Sequence, residues 1–555
     1  MQTSEWHVGG WIQTGGAIGG AIVLALALLA SWPAHGASDD GALRFGVGDP
    51  FADDPPAQIA KRLELYEQAG IGILRVDVDW RTQEIREGYW QETPNLALLQ
   101  LGQRSGFKLK ADIGSIESPP GWFFQTHPDA QLKNQDGLLS FNDISYWYPG
   151  LHALLEEKDN QLFASMSRLG LLDAIAYLVI PLGPAGEPLY PAPWTTTAPD
   201  APLRFWFYDP NAQADFPRRM RARYGSIAAA NMAWGTHFTD WSQVVIPRPG
   251  TRPGAMWRDV LEWYRDAKRD FAVWQLEHYR RLVKQYFPAG RAPQLLILVP
   301  GNHVTAYEWE QALRSGDGAD ALKVMADSEF LLDLAHRNGA VTQYTGLPNF
   351  AEVEYLESYA RGRGYRLDLW GENAGNAGEP RELDEEVLAN GLYGQEYIGS
   401  NLFEADHVTP NARYAALKSA HAWLRDVWAG RQAPVMSFDD LPLAQGTCVY
   451  ADRQQTISLC MQNDANLVLR RGARALWSSQ TAQGESGFCG ADGDPATACS
   501  ATFQGDGNLV VYRGAQPLWA SGTAVRGRHL LFSSTAPFLE IASNDGQVIW
   551  TAATN

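Results

Sequence analysis

Cysteine is scarce in this chain, with four in 555 residues and none before Cys448. No Cys-x-x-Cys pair and no clustered histidine accompanies them, so a zinc site is disfavoured, and we expect no metal and no other cofactor. Basic residues are also few, with 45 Lys and Arg against 63 Asp and Glu. Nucleic acid is therefore not expected as a partner, because binding to its phosphates requires clustered cations.

The four cysteines lie together in the last quarter of the chain. An even number of cysteines confined to one small segment predicts two local disulfides. The simplest of the possible pairings is Cys448–Cys460 with Cys489–Cys499.

The N-terminus carries one apolar run, and no Lys or Arg precedes it. Residues Ala17–Ala30 are fewer than the roughly 20 needed to span a membrane and have about the length of a signal peptide. Ala34-His35-Gly36 resembles a small-x-small cleavage site, so residues 1–36 are expected to direct the chain to the periplasm or to secretion. If the run extends over 11–32, an uncleaved anchor with membrane contact is the alternative.

Strand-like apolar runs alternate with amphipathic stretches over residues 42–432, which is typical of a parallel α/β fold. Eight such runs predict a (β/α)8 TIM barrel that carries insertions, the longest at about 190–250 after the fourth strand. The predicted strands are Leu43–Gly48, Gly72–Trp80, Phe107–Gly114, Ala174–Leu182, Gln294–Val299, Ala340–Thr345, Tyr365–Trp370 and Tyr397–Phe403.

Two glutamates follow strand-like runs at corresponding places. Glu187 ends Gly183-Pro184-Ala185-Gly186-Glu187 after the fourth predicted strand, and Glu372 lies in Trp370-Gly371-Glu372-Asn373-Ala374 after the seventh. Barrel enzymes carry their catalytic groups at the carboxyl ends of the strands. Hydrolysis of a glycosidic bond requires a protonated acid beside the leaving oxygen and an ionised carboxylate on the other face. We assign Glu187 as the acid and Glu372 as its partner; for either motif alone, a merely solvated glutamate is the alternative.

The separation of the two carboxyl groups would decide the stereochemistry, with about 5–5.5 Å implying retention and about 6.5–9.5 Å implying inversion. Further residues near predicted strand ends are candidates for holding sugar hydroxyls, although each has the alternative of bonding only to neighbouring backbone. The favoured ones are Asp79 and Trp370; the others are Asp49, Asp112, Asn302, His303, Tyr344 and Glu404.

The pattern changes after about Ala433 to short alternating strands and Gly-Asn-Asp turns, with no lysine beyond Lys418. Two repeats are visible there, Gln462 to Arg470 and Gln504 to Tyr512. Three Leu-Trp or Ile-Trp segments accompany the repeats and contain Trp477, Trp519 and Trp550. Three strand-rich repeats predict an all-β prism over residues 440–555 whose tryptophans pack at its centre.

The repeat Gln-x-Asp-x-Asn-x-Val-x-Tyr resembles the sugar-binding motif of bulb-type mannose-binding lectins, and the resemblance covers residues 440–555. It implies binding of mannose-type glycans, with hydrogen bonds from the polar side chains and packing of Val on the sugar ring. In the first repeat Arg470 replaces the Tyr, and the third, Ser534 to Ala542, has lost every polar position and should be structural only. The matching residues are Gln504, Asp506, Asn508, Val510 and Tyr512 in the second repeat and Gln462, Asp464 and Asn466 in the first.

The first half of the barrel resembles the family 42 β-galactosidases. The resemblance covers much of residues 60–290 and rests on Ser118-Pro119-Pro120-Gly121-Trp122, His127-Pro128-Asp129 and Arg223-Tyr224-Gly225. That clan has Asn immediately before the acid, where this chain has Gly186.

The acid motif resembles a second family, the family 14 β-amylases. Gly183 to Glu187 with Tyr190-Pro191 is similar to the acid motif there, and Glu372-Asn373-Ala374 is similar to the general-base motif. Val76-Asp77-Val78-Asp79-Trp80 stands where β-amylases have a similar early strand.

These resemblances imply an exported glycoside hydrolase that cleaves O-glycosidic bonds of a galactoside or related oligo- or polysaccharide and is held on mannose-type glycans by its lectin module. One alternative is a β-amylase-like inverting hydrolase of α-glucans. Another is a non-catalytic adhesin whose barrel only presents the lectin module, against which the presence of both glutamates in motif context argues.

Overall fold

The computed structural model describes residues 43–552 except 115, 117, 118, 193–201, 302, 348, 374–378, 485, 486 and 492. The predicted export segment 1–36 and the candidate Asn302 lie outside the described residues. Within the described part, no helix is both long enough and apolar enough to cross a membrane.

Eight parallel strands close into a barrel, which confirms the predicted (β/α)8 fold. Each strand pairs with the next in sequence, and the last pairs back onto the first, with Arg44 opposite Gly394. The runs are rich in Ile, Leu and Val because both faces of such a sheet are covered. Strands β1 to β8 are Arg44–Gly48, Ile73–Val78, Lys108–Ile113, Ile175–Val179, Gln294–Val299, Val341–Tyr344, Leu369–Asn373 and Gly394–Ile398.

Eight helices surround the strands and bury their apolar faces against them. Three of them start with proline, at Pro56, Pro94 and Pro380, where its fixed φ suits the first turn and its missing N–H costs nothing. Helices α1 to α8 are Pro56–Gln68, Pro94–Arg104, Leu151–Arg168, Ala255–Tyr286, Ser328–Asn338, Phe350–Gly362, Pro380–Ala389 and Ala412–Trp428.

The last two strands differ from the predicted ones. β7 extends to Asn373, so Glu372 lies within the strand rather than in the loop after it. β8 begins at Gly394, three residues ahead of the predicted Tyr397. Both differences have the same cause, because these strands carry buried polar side chains, such as Glu396, that interrupt the apolar pattern used to locate them.

A long insertion lies between β4 and α4, at the position predicted from the sequence. Its helices Pro210–Tyr224 and Ile227–Trp234 pack with the first half of α4. They form an aromatic core of their own around Phe207, Phe216 and Trp257. Two hairpins, Glu84–Arg86 with Tyr89–Trp90 and Gln131–Lys133 with Leu139–Ile144, and helices Ala306–Ser315 and Asp320–Val324 extend other loops.

The C-terminal part of the chain forms three four-stranded antiparallel sheets, the predicted all-β prism. Trp477, Trp519 and Trp550 meet at its centre, with ring centroids 5.4, 5.6 and 6.0 Å apart. Both predicted disulfides are present. The sheets comprise Cys448–Tyr450, Ile457–Met461, Leu467–Arg471 and Arg474–Ser478; Leu441–Ala444, Cys499–Phe503, Leu509–Arg513 and Gln516–Ala520; and Val435–Phe438, His529–Ser533, Leu539–Ala542 and Val548–Thr551.

The prism packs against α6 and α7 of the barrel. The Thr447 hydroxyl donates a hydrogen bond to Glu354 on α6 over 3.1 Å, and the Ser437 amide donates one to Glu385 on α7, also over 3.1 Å. The Arg361 guanidinium lies 4.7 Å from the centre of the Tyr450 ring. Polar and cation–π contacts therefore hold this face together alongside its apolar packing.

Candidate active site

Charged side chains occupy the interior of the barrel at several of its strands. Side chains alternate along a strand, so Arg75 and Asp77 share the inner face of β2 with Ile73, which packs against Trp370 inside the barrel. The parallel register places Arg75 and Asp77 of β2 beside Lys110 and Asp112 of β3. In the same way, Glu372 of β7 lies beside Glu396 of β8. The fold thus gathers a cluster of ionisable groups on the axis of the barrel.

Arg75 links four carboxyl groups of this cluster. Its Nη1 donates to Oε1 of Glu372 over 2.9 Å and lies 3.5 Å from Oε1 of Glu396. Its Nη2 donates to Oδ2 of Asp112 over 3.2 Å, and its Nε donates to Oδ1 of Asp77 over 2.9 Å. The planar fork of a guanidinium can serve several carboxylates at fixed angles, which a lysine ammonium cannot do.

Lys110 supports the cluster from the fully buried interior. Its Nζ lies 3.0 Å from each carboxylate oxygen of Glu396 and donates to Gln343. The same ammonium lies 5.5 Å from the centre of the Trp370 ring. A buried charge is tolerated only when it is paired in this way.

Glu372 is only 4% exposed. Burial raises the pKa of its carboxyl group above the usual range; the positive charges of Arg75 and Lys110 oppose this rise, and the nearby Glu396 adds to it. Arg75 holds Oε1, whereas no described residue bonds to Oε2. One oxygen of this carboxyl group is therefore fixed by the protein, and the other lacks a partner among the described residues.

Glu187 follows β4 at the end of a tight turn. The turn Pro184–Gly186 is stabilised by the Glu187 amide, which donates to the Pro184 carbonyl over 3.0 Å. Gly186 has φ +78°, and a Cβ on it would meet Leu298 at 3.0 Å, so glycine is needed for both conformation and space.

The pKa of Glu187 is raised to about 7. The largest cause is burial of the carboxyl group; a hydrogen bond from Thr345 lowers the pKa, and the negative charge of Glu372 raises it. The two glutamates therefore influence each other's ionisation electrostatically. A carboxylic acid that keeps its proton near neutral pH beside an ionisable carboxylate can perform general acid chemistry.

The loop that carries Glu187 is fixed from behind by Lys268 of α4. Its Nζ donates to the Tyr146 hydroxyl over 2.7 Å and also to the carbonyl of Leu189. The Tyr146 hydroxyl donates onward to the carbonyl of Leu182 over 3.1 Å. Tyr190 stacks on Tyr264 with centroids 3.8 Å apart. These bonds tie the loop to the inserted aromatic core.

The predicted sugar-contacting residues fall in different surroundings. Asp79 is partly buried directly after β2. Trp370 and Tyr344 are fully buried, Trp370 among the apolar side chains inside the barrel, so the structure does not bring either ring to the surface of the site. Asp49, a further candidate, is tied to the Arg62 guanidinium of α1 over 2.8 Å.

Sequence reasoning missed Arg75, Lys110, Glu396 and Thr345. The available signal was a charged residue inside an otherwise apolar strand, as in Ile73-Leu74-Arg75-Val76. Such a residue has to be paired inside the barrel because an isolated buried charge is too costly. The residues that pair with such a charge lie far away in the sequence, so no local pattern predicts which ones they are.

The two polar repeats of the prism have matching local geometry. In the second repeat, Gln504 Nε2 donates to the Tyr512 hydroxyl over 3.0 Å, and Asn508 Oδ1 accepts from Ser521 over 3.0 Å. In the first repeat, Asn466 Oδ1 accepts from Ser479 over 3.2 Å. Arg470, in the place of the tyrosine, donates to a backbone carbonyl over 3.3 Å. Val510 and Val468 are buried, whereas Asp506 is exposed and Asp464 and Gln462 are partly buried.

A parallel eight-stranded barrel with two coupled carboxyl groups near the carboxyl ends of its strands is an architecture in which glycoside hydrolysis is carried out. A family model described as Beta-galactosidase matches residues 204–313. The thermophilic beta-amylase of Thermoanaerobacterium thermosulfurigenes is 31% identical over 154 residues, which are 26% of this chain and 27% of that protein. The beta-amylase of Cytobacillus firmus is 23% identical over 440 residues, which are 72% of this chain and 91% of the relative.

A solved structure resembles the barrel. The catalytic domain of a beta-amylase from Paenibacillus polymyxa superposes with a TM-score of 0.56 at 20% identity, over 68% of this chain and 97% of that one. At that identity the likeness bears on the fold alone. The chain spans 27% and 54% of the length of two of the beta-amylases that it matches. The comparisons relate the chain to two groups of glycoside hydrolases.

Proposed function

We propose that this chain is a glycoside hydrolase in which Glu187 is the general acid and Glu372 is the partner carboxylate. The observation that carries the proposal is a pair of interacting carboxyl groups, Glu187 after β4 and Glu372 in β7. Arg75 bonds Glu372, and the pKa of Glu187 is raised to about 7. Protonated Glu187 would deliver its proton to the leaving oxygen. Ionised Glu372 would act on the opposite face of the sugar.

The substrate class that we propose is an α-linked glucan. Long parts of the chain are similar to proteins named beta-amylase, and the motifs around Glu187 and Glu372 resemble those of that family. In that case Glu372 would activate water, and its Oε2, to which no described residue bonds, is available to accept the proton. β-Galactosides are the second candidate, because the family model that matches residues 204–313 is described as Beta-galactosidase.

Glu187→Gln and Glu372→Gln test the roles of the two carboxyl groups. Each change keeps the size of the side chain but removes proton transfer, so hydrolysis should fall by at least about a hundredfold. Glu357→Gln is the matched control, because Glu357 is a buried glutamate of α6 whose pKa is also raised to about 7. Release of sugar from starch, maltooligosaccharides and lactose measures the effect, and wild-type-like activity of either variant would contradict the assignment.

Proton NMR of the fresh products distinguishes the two mechanisms. An inverting hydrolase of α-glucans should release β-configured sugar, whereas retained configuration would exclude a β-amylase-like mechanism. Activity should also decline above about pH 7 as Glu187 loses the proton that it donates. Failure of the wild type to hydrolyse any sugar in a broad panel, with lectin binding intact, would favour the adhesin.

We also propose that residues 42–432 form the catalytic domain and residues 440–555 a module that binds mannose-type glycans. The second repeat supports the latter, since Gln504 and Tyr512 bond to each other beside Asn508 on one partly exposed surface. Export through residues 1–36 is part of the proposal, and disulfides persist in the oxidising compartments to which it would lead.

A further inference from the structure

A third acidic side chain, Asp112, lies close to the arginine that bonds Glu372 and to the turn that carries Glu187. Asp112 on β3 is only 5% exposed and accepts a hydrogen bond from Nη2 of Arg75, whose Nη1 bonds Glu372. Asp112 also packs against Gly186, the residue before Glu187. A Cβ added to Gly186 would lie 3.2 Å from each carboxylate oxygen of Asp112. Asp112 therefore borders both halves of the site.

The buried charges around Arg75 do not balance if every carboxyl group is ionised. The side chain of Asp77 is 55% exposed, so water can solvate its charge. Asp112, Glu372 and Glu396 are buried, and the described cations bonded to them are Arg75 and Lys110. Three buried negative charges against two positive ones favour the retention of one proton, because an uncompensated buried charge is costly.

We propose that Asp112 is the group that holds this proton and that it acts as a positioning residue. While Asp112 is neutral, it does not compete with Glu372 for the positive charge of Arg75. The inference rests on the proposed function and names how the charge state of the same site is controlled. Arg75 bonds both carboxyl groups, but its bond to Glu372 is 2.9 Å long and its bond to Asp112 is 3.2 Å long, so the negative charge is better compensated on Glu372. The charged side chains that act on Asp112 are Arg75 and Asp77 of β2, Lys110 of β3 and Glu372 of β7.

The electrostatics of Asp112 agree with this geometry. Burial raises the pKa of its carboxyl group to about 7, opposed by Arg75 and Lys110 and reinforced by Asp77 and Glu372. Below pH 7 Asp112 is neutral, so the positive charge of Arg75 favours the ionised form of Glu372. Above pH 7 an ionised Asp112 competes for the guanidinium, and its new charge also opposes loss of the proton from Glu187.

Carbon-13 NMR of the aspartate carboxyl groups in the full-length protein tests the proposal without relying on catalysis. The signal that is missing in Asp112→Asn identifies Asp112, and it should titrate near pH 7. In Glu372→Gln the neighbouring negative charge is gone, so this midpoint should fall by about one pH unit. Asp143 is the internal control, because its pKa is also raised to about 7 but by burial outside the barrel interior, and it should not move. A midpoint of Asp112 near 4 in the wild type, or one unaffected by Glu372→Gln, would overturn the proposal.

Kinetics provide a second measurement. Asp112→Asn imitates the neutral acid and should lose less kcat at pH 5–6 than Asp112→Ala, which removes the group that Arg75 contacts and should lose at least tenfold. The basic limb of the profile should also move to lower pH in Asp112→Asn, because no charge appears there to hold the proton on Glu187. Equal losses in both variants at every pH would indicate a merely structural role and contradict the proposal. If the wild type hydrolyses nothing, the proposed function fails, and the NMR titration still decides whether Asp112 holds the proton.

Discussion

Arg75 is the residue on which the charge state of the proposed site depends most directly. It contacts four carboxyl groups from four strands, and one of them is Glu372. Burial raises the pKa of Glu372, and the positive charge of Arg75 opposes that rise. A side chain of this kind decides at which pH the partner carboxylate becomes ionised.

Arg75→Lys should lower activity at least tenfold and move the acid limb of the pH–activity profile to higher pH. A lysine ammonium cannot bond Glu372 and Asp112 together, so Glu372 loses stabilisation of its ionised form and its pKa rises. Initial rates between pH 4 and 8 measure the change. Arg291→Lys is the control, since Arg291 forms an exposed pair with Asp173. An acid limb that stays in place would show that Arg75 does not control Glu372.

At the scale of elements, α6 is one of the barrel helices that contact the prism. It places Glu354 against Thr447 of the prism and Arg361 against Tyr450. Glu357 on the same helix is 3% exposed, and burial raises its pKa to about 7 against the opposing charges of Arg361 and Arg366. The helix therefore buries acidic groups whose ionisation opposes folding at high pH.

The stability of the protein should decline between about pH 4.5 and 7, and Glu357→Gln should reduce that decline. The folded state keeps the proton of Glu357 to higher pH than the unfolded chain does, so its contribution to stability is present at low pH and is lost as pH rises through about 7. The difference between variant and wild type at pH 8 should be at most about 3 kcal/mol. Urea unfolding at pH 5 and pH 8 measures it. Equal declines in both proteins would argue against a buried, protonated Glu357.

At the scale of the whole molecule, two kinds of sugar site are expected on one chain. The barrel would bind the bond to be cleaved, while the second repeat of the prism would bind mannose-type glycans. The two sites can be inactivated separately, because the prism residues involved lie outside the charged cluster of the barrel.

Asn508→Ala should remove most mannoside binding, whereas Asn466→Ala should have a smaller effect. Each lost hydrogen bond to a sugar hydroxyl costs about 1–3 kcal/mol, and only the second repeat retains the tyrosine. The two variants are matched controls for folding, because each Asn side chain accepts one hydrogen bond from a Ser hydroxyl and one from a Thr amide at the equivalent place in its repeat. Calorimetric titration of the full chain with methyl mannoside measures the order. Unchanged binding in Asn508→Ala would show that the second repeat is not the site.

The sequence alone predicted the eight barrel strands, the repeats of the prism, the central tryptophans and the pairing of the cysteines. These features depend on hydrophobic patterns and short motifs, which act over neighbouring residues. The prediction placed the start of β8 three residues too late, because the buried Glu396 interrupts the apolar pattern of that strand. The motifs around Glu187 and Glu372 were likewise visible locally, and their catalytic roles stay predictions.

Only the tertiary structure decided which charges meet. Arg75 and Glu372 are 297 positions apart in sequence, and Lys110 and Glu396 are 286 apart, so no spacing rule connects them. The fold also turned Trp370 into the barrel interior and set Asp112 against Gly186. Coulombic coupling and burial depend on distances in space, and those exist only once the barrel has closed.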